Sequence, residues 1–262
     1  MNIIVCLKQV PGTNDVRLDP ETGSLIREGV PSIINPEDRN ALEEALLLKE
    51  EHGGNVVAIS MGPPQAEEGL RDALAMGADE AILLCDKAFA GADTLATSFT
   101  LGTAIKKLGD FDLILCGTKT LDGNTGQVGP QLAEFLDLPQ ITYARRVEVQ
   151  GEILRAERAF EEGYELMETR LPALVTVTKE INEPRISSIE QIMQSYREKE
   201  VRIWGTPDLG VDEHSVGLDG SATKMGKIYK PEFGKGKVEF IEGSTEDMVQ
   251  GLLAKLEERH LI

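Results

Sequence analysis

The feature that most constrains this chain is an alternation. Short apolar runs of strand length are separated by longer segments whose apolar residues recur every three or four positions. The runs at residues 3–7, 56–60, 81–84 and 113–116 are continuously apolar or nearly so, as expected of strands covered on both faces. Four helix candidates follow them. The first takes Asn35 as N-cap and Pro36 at its first position, carries Glu37 and Asp38 in its first turn and stops at Gly53 and Gly54. The second covers residues 64–76 and ends before Gly77. The third begins after Asp93 as N-cap and should bury Leu95, Phe99, Ile105 and Leu108; the fourth should carry Val128, Leu132, Phe135 and Leu136 on one face. Strands alternating with helices predict an α/β fold, an open and mostly parallel sheet with flanking crossover helices.

Past Leu138 the pattern changes to ITYARRVEVQ, EILRAERAF, YELMETR and LPALVTVTK, with charges interleaved among β-forming residues. Such alternation predicts antiparallel strands with one wet face, added at the edge of the parallel sheet. Residues 186–200, ISSIEQIMQSYREKE, predict a short helix exposing Ile189, Ile192 and Met193. From residue 205 to 243 the chain is rich in Gly, Pro, Asp and Lys, which predicts an extended arm. It leads into a last helix capped by Ser244, with Met248, Leu252, Leu253 and Leu256 in a stripe. The expected division is residues 1–204 as the α/β domain, including a segment at 184–200, and 205–262 as the C-terminal arm and helix.

Composition narrows the function. Of 262 residues 41% are apolar, enough for a substantial core, and the formal charge of −18 has no dense basic cluster to offset it, so phosphate-backbone binding to nucleic acid is disfavoured. The apolar run before Lys8 is too short for a signal peptide. No stretch approaches the roughly 18 apolar residues of a spanning helix, so a cytoplasmic chain without membrane insertion is expected. Cys6, Cys85 and Cys116 are widely spaced and unpaired in pattern, which argues against a disulfide framework or a metal site. The three histidines, His52, His214 and His260, have no ligand or triad partner at useful spacing. No catalytic side chain is therefore assigned, and a bound cofactor is expected to carry any chemistry.

Ligands of open α/β sheets bind outside the carboxyl ends of the strands, and every unusual loop falls there. The first strand ends in Cys6, Leu7 and Lys8, and the second leads into Met61. The third leads to Asp93 and Thr94, with Thr97 one turn on. The fourth ends at Gly117, followed by Asp122, Gly123, Asn124, Thr125, Gly126, Gln127 and Val128 before the fourth helix. Glycines allow close backbone approach, and free amides at a helix start attract phosphate oxygens. Pro130 lacks an N–H, so the free amides should lie at Thr125 to Val128. The same residues also serve an ordinary strand-to-helix turn; convergence of several such loops on one edge is what favours a ligand site.

Taken together, VCLKQVPGT, INPEDRNALEEAL, ISMGPPQAEEGLRDALAMGADEA, DGNTGQVGPQLAEFLDLPQ, LPALVTVTKEINEPRISSIEQIM and PDLGVD resemble, over the full length, the β subunit of electron-transfer flavoproteins. The resemblance implies an adenine-nucleotide α-hydrolase-like domain that works only with a flavin-carrying α subunit. Ordinary members hold AMP. Electron-bifurcating members hold a second FAD in the same pocket, and the forms DGNTGQVGP and GADTLAT look like that version. It further implies NADH or NAD as substrate, and as partners ferredoxin or flavodoxin and a flavoprotein dehydrogenase of acyl-CoA or lactate type. Carried over, Cys6, Asn35 and Met61 lie around the adenosine, with Lys8 where the first strand opens toward the pocket. The loop Asp122 to Val128 lies at the diphosphate, and Asp93, Thr94 and Thr97 at the additional flavin side. Ile189 anchors a dehydrogenase, with Ile192 and Met193 beside it. The chain departs from the family pattern in GTKTLDG, which places a basic side chain at Lys119, and in Ile189 where leucine is common.

Overall fold

The computed structural model describes residues 1–12, 17–18, 25–26, 32–224, 226 and 238–262; of residues 17, 18, 25 and 26 only the backbone is described. Two compact units emerge, Met1–Met225 and Gly226–Ile262. In the first, β1 (Asn2–Cys6) is followed by two small antiparallel pairs, β2 (Gln9–Pro11) with β5 (Ser32–Ile34) and β3 (Arg17–Leu18) with β4 (Leu25–Ile26). Then come α1 (Pro36–His52), β6 (Asn55–Met61), α2 (Glu67–Met76), β7 (Glu80–Leu84), α3 (Thr94–Leu108), β8 (Leu113–Gly117) and α4 (Val128–Leu136). The chain continues through β9 (Gln140–Gln150), β10 (Ile153–Phe160), β11 (Gly163–Arg170), β12 (Ala173–Val177), α5 (Ile189–Arg197), β13 (Val201–Trp204) and α6 (Thr206–Leu209).

Nine strands form one sheet in the order β11-β10-β9-β12-β8-β1-β6-β7-β13. The seven strands from β9 to β13 across that order pair with one another in parallel, and β10 joins them antiparallel to β9 and is itself antiparallel to β11. Successive side chains of a strand face opposite sides, so β1 sends Ile3 and Val5 into a layer with α1 and α2 and sends Ile4 and Cys6 into a layer with α3 and α4. This places all four predicted helices, two to a face.

The four β segments after Leu138 were expected as antiparallel edge strands, and two of them are not. β12 is buried along its whole length and lies between β8 and β9, parallel to both. Its run ALVTV has the continuous apolar character of an interior strand, which outweighs the polar residues flanking it. β9 is mixed, parallel to β12 and antiparallel to β10. β13, which no periodicity announced, adds an edge beside β7. Leu95, expected in the core, is 48% exposed in the first turn of α3.

The expected boundary at residue 204 also shifts. Thr206 gives its N–H and hydroxyl to Asp86 at 2.9 and 2.8 Å, Leu218 N–H bonds Ala90 O, and Val216 is fully buried. An apolar contact of that depth holds residues 205–224 in the first unit rather than in an arm. Residues 225 and 227–237 of the expected arm lie outside the described residues. In the second unit α7 (Thr245–Glu258) is capped reciprocally by Ser244 and Asp247, and Met248, Leu252 and Leu253 are exposed within that unit. No described helix is long and apolar enough to cross a membrane.

Candidate functional site

The carboxyl ends of β1, β6 and β8 converge with the starts of α1, α3 and α4. At the centre is the loop from Gly117 to Gln127. Asn124 and Gly126 both have left-handed backbone, φ +51° and +64°, a conformation that lets neighbouring N–H groups converge on an anion. Gln127, the residue before α4, makes no side-chain cap. Among the described residues the N–H groups of Thr125, Gly126, Gln127, Val128 and Gly129 meet no acceptor. These are the amides expected to be free, with Gly129 added. They form a donor cluster at a helix start, suited to phosphate oxygens.

Three side chains at the start of α1, Asn35 just before it and Glu37 and Asp38 in its first turn, hold this loop. Asn35 does not cap α1. Its amide instead donates to Lys119 O at 2.9 Å and its carbonyl accepts from Leu121 N at 3.1 Å. Glu37 accepts from Lys119 N at 2.8 Å. Asp38, buried, accepts from Lys8 N at 2.8 Å and from Gly117 N at 3.0 Å. Burial pushes the Asp38 carboxyl up to about 7 although both N–H groups and the Lys8 charge oppose the rise. First-turn acids are the usual complement of a helix dipole, and Glu37 and Asp38 carried no other sequence signal. Their function as loop ligands was missed for that reason.

Lys8 reaches across to Asp122, its amine lying 2.9 and 2.7 Å from the two carboxylate oxygens. Partial burial alone would raise Asp122, but the Lys8 contact, with further hydrogen bonds, holds it below the usual aspartate value. The negative charge nearest the free amides is thereby neutralised. Thr94 stands at the start of α3 with its hydroxyl 3.5 Å from Gln127 Oε1, so the α3 start and the loop are contiguous. Thr97 is half-buried one turn on, its N–H on Asp93 O.

Other expected contacts are engaged differently. Both oxygens of Asp93 serve architecture: one caps Ala96 N at 3.0 Å, the other accepts from Thr223 N and Oγ1 at 2.8 and 2.9 Å. Leu7 is a core side chain whose N–H bonds Ile59 O. The Cys6 thiol is pushed up to about 12 by burial and by Asp38, and that of Cys116 is raised well above its ordinary value by burial first, so neither is a nucleophile. Met61 packs half-buried against the α3–α4 layer. Gly123 N bonds the Asp122 side chain of its own turn. Tyr143 was not anticipated: its backbone is left-handed, φ +58°, and its hydroxyl lies beside Gly126. Ile189, Ile192 and Met193 form an exposed face on α5, 79% exposed at Ile189. The helix is capped by Ser188 and Gln191 and tied to α2 through Arg71, which donates to the carbonyls of Ser195 and Lys199.

A family model described as the electron transfer flavoprotein domain matches residues 22–208. The chain is 53% identical over its whole length, and that of the relative, to electron transfer flavoprotein subunit beta of Clostridium acetobutylicum. It is 54% identical, again with both chains fully covered, to the protein of that name from Thermoanaerobacterium thermosaccharolyticum. The chain belongs to the electron transfer flavoprotein family, as a β subunit. It is also 49% identical, with both chains fully covered, to the caffeyl-CoA reductase-Etf complex subunit CarD of Acetobacterium woodii. An electron transfer flavoprotein β subunit belongs to a flavoprotein-associated family, and the free amides at the start of α4 are donors of the kind that a flavin or nucleotide phosphate accepts.

Proposed function

We propose that this β subunit holds an FAD at the carboxyl edge of its sheet and works, with its α subunit, as an electron-bifurcating electron transfer flavoprotein. The observation that carries the reading is the contact between Thr94 and Gln127, because it joins GADTLAT to DGNTGQVGP, the two segments that resemble the FAD-holding branch. The 49% identity to a subunit of a caffeyl-CoA reductase complex supports an acyl-CoA type of dehydrogenase partner over a lactate type. Held by the loop amides and the Thr94 and Thr97 hydroxyls, such a flavin would supply hydride acceptance from NADH and one-electron transfer, toward the dehydrogenase by way of the α subunit and toward ferredoxin or flavodoxin.

The residues present fit such a group. The free amides from Thr125 to Gly129 would hold the diphosphate, with the Thr94, Thr97 and Thr125 hydroxyls adding donors. Lys8 would supply positive charge by releasing or sharing Asp122. Asn35 and Glu37 fix the loop so that its donors are arranged before the ligand arrives, which lowers the cost of binding. The exposed Ile189, Ile192 and Met193 face would receive the dehydrogenase.

The test is to co-express the chain with its α subunit, denature the purified heterodimer and quantify the FAD and AMP released. Two FAD and no AMP per heterodimer is the expected result. One FAD with one AMP would refute the bifurcating reading and assign the site to structural AMP.

A further inference from the structure

The Asp38 carboxylate is used by nothing in the proposed chemistry, yet it occupies a singular place. β1 and β8 are adjacent parallel strands, and both halves of the site leave from their carboxyl ends. Where the strands end, the backbone no longer pairs strand to strand. Asp38 takes over, with Oδ2 on Lys8 N at 2.8 Å and Oδ1 on Gly117 N at 3.0 Å. The approach is close enough to require glycine at 117, where a Cβ would lie 2.5 Å from Asp38 Oδ1 and 2.8 Å from Asp38 N. Lys8, once its backbone is fixed, sends its amine to Asp122 in the loop. The carboxylate thus sets the origin of both the Lys8 side chain and the loop of free amides.

We propose that Asp38 is a positioning residue of the nucleotide site, and that its ionised carboxylate clasps the ends of β1 and β8 so that bound nucleotide is released faster once Asp38 takes up a proton. This rests on the reading of the carboxyl edge as the nucleotide site. An ionised carboxylate accepts both N–H groups equally, whereas a protonated one has a hydrogen on one of the two oxygens and holds that strand end weakly. Among the described residues the charged or titratable groups that act on Asp38, or on which it acts, are Lys8 and Cys6 on the β1 side and Cys116 on β8; Asp122 pairs with Lys8, and Glu37, next to Asp38 on α1, holds Lys119 N. Both thiols are raised and Asp122 is lowered, away from neutrality, while burial raises Glu37 above the ordinary glutamate value against the opposing Lys119 N–H and charge. Burial places Asp38 at about 7, so the transition falls in an accessible range.

The experiment measures the release rate of co-purified nucleotide from the intact heterodimer, by dilution and ultrafiltration between pH 6 and 8.5, for the natural chain and for Asp38→Asn. An amide presents one acceptor and one donor to two N–H groups. The expected result is release about ten-fold faster than in the natural chain at pH 8, with little dependence on pH, while the natural chain speeds up as pH falls through about 7. Asp38→Asn with the natural pH profile overturns the inference, and so does a natural chain with no pH dependence, which decides the matter even where the variant fails to fold. A natural heterodimer that carries neither FAD nor AMP overturns the nucleotide site itself, and with it this inference, and is told apart by that missing nucleotide.

Discussion

Gly129→Ala should displace the start of α4 and with it the free amides. Gly129 is the second residue of α4 and is buried. A Cβ there would lie 2.6 Å from Thr176 Cγ2 and 3.1 Å from Cys116 Sγ. Thr176 cannot turn its methyl aside cheaply: its Oγ1 accepts from Tyr143 N at 3.0 Å and meets Thr118 Oγ1 at 3.2 Å. The helix must therefore move outward. Overpacking of this kind costs about 1–3 kcal/mol, and alanine returns at most about 1 kcal/mol in helix propensity. From the middle of that overpacking range, about 2 kcal/mol, the net loss is about 1–2 kcal/mol, which corresponds to a Tm lowered by about 3–6 °C in a unit of this size. Urea unfolding and nucleotide retention would both be measured. Thr176→Ser supplies the control, because it removes the clashing methyl and keeps the hydroxyl. In a double-mutant cycle the pair should be less destabilised than the sum of the single changes by about 1 kcal/mol. Additive effects, or a Gly129→Ala protein as stable as the natural one with unchanged nucleotide retention, would refute the packing argument.

Arg185 donates to Glu43 through Nε and Nη2 and to Glu50 through Nη1, and Glu43 is only 6% exposed. Arg185→Ala strands that carboxylate and should cost about 2–3 kcal/mol, less than a fully buried pair because the guanidinium reaches solvent. Hydrogen exchange should accelerate over residues 181–188 while α5, capped locally, keeps its protection; unchanged exchange over 181–188 would show that the pair does not hold the segment. Asp93→Ala removes the α3 cap and the tie to Thr223 together and should lower stability by about 1–2 kcal/mol. Limited proteolysis should then cut within residues 219–224, and resistance equal to that of the natural chain would rule out the tie.

The sequence by itself determined the elements whose causes are local. The continuously apolar runs became β1, β6, β7 and β8, and the punctuation at Asp93, Gly53 and Gly77 became caps and stops of α3, α1 and α2. The glycine spacing and Pro130 located the free amides to within one residue, because backbone conformation and the lack of an N–H are properties of single residues. Side-chain fate was less legible. Asn35, Glu37 and Asp38 read as a cap and two dipole-matching acids, which they resemble in any isolated helix. Only the return of the chain at Gly117 through Leu121 turned them into ligands of the loop. Tertiary structure alone likewise decided that β12 enters the sheet between β8 and β9, that β13 extends its far edge and that residues 205–224 pack on the unit through Val216. Each of these outcomes is set by which distant backbone or apolar surface is available to satisfy a hydrogen bond or exclude water. That availability is a property of the folded neighbourhood and leaves no periodicity along the chain.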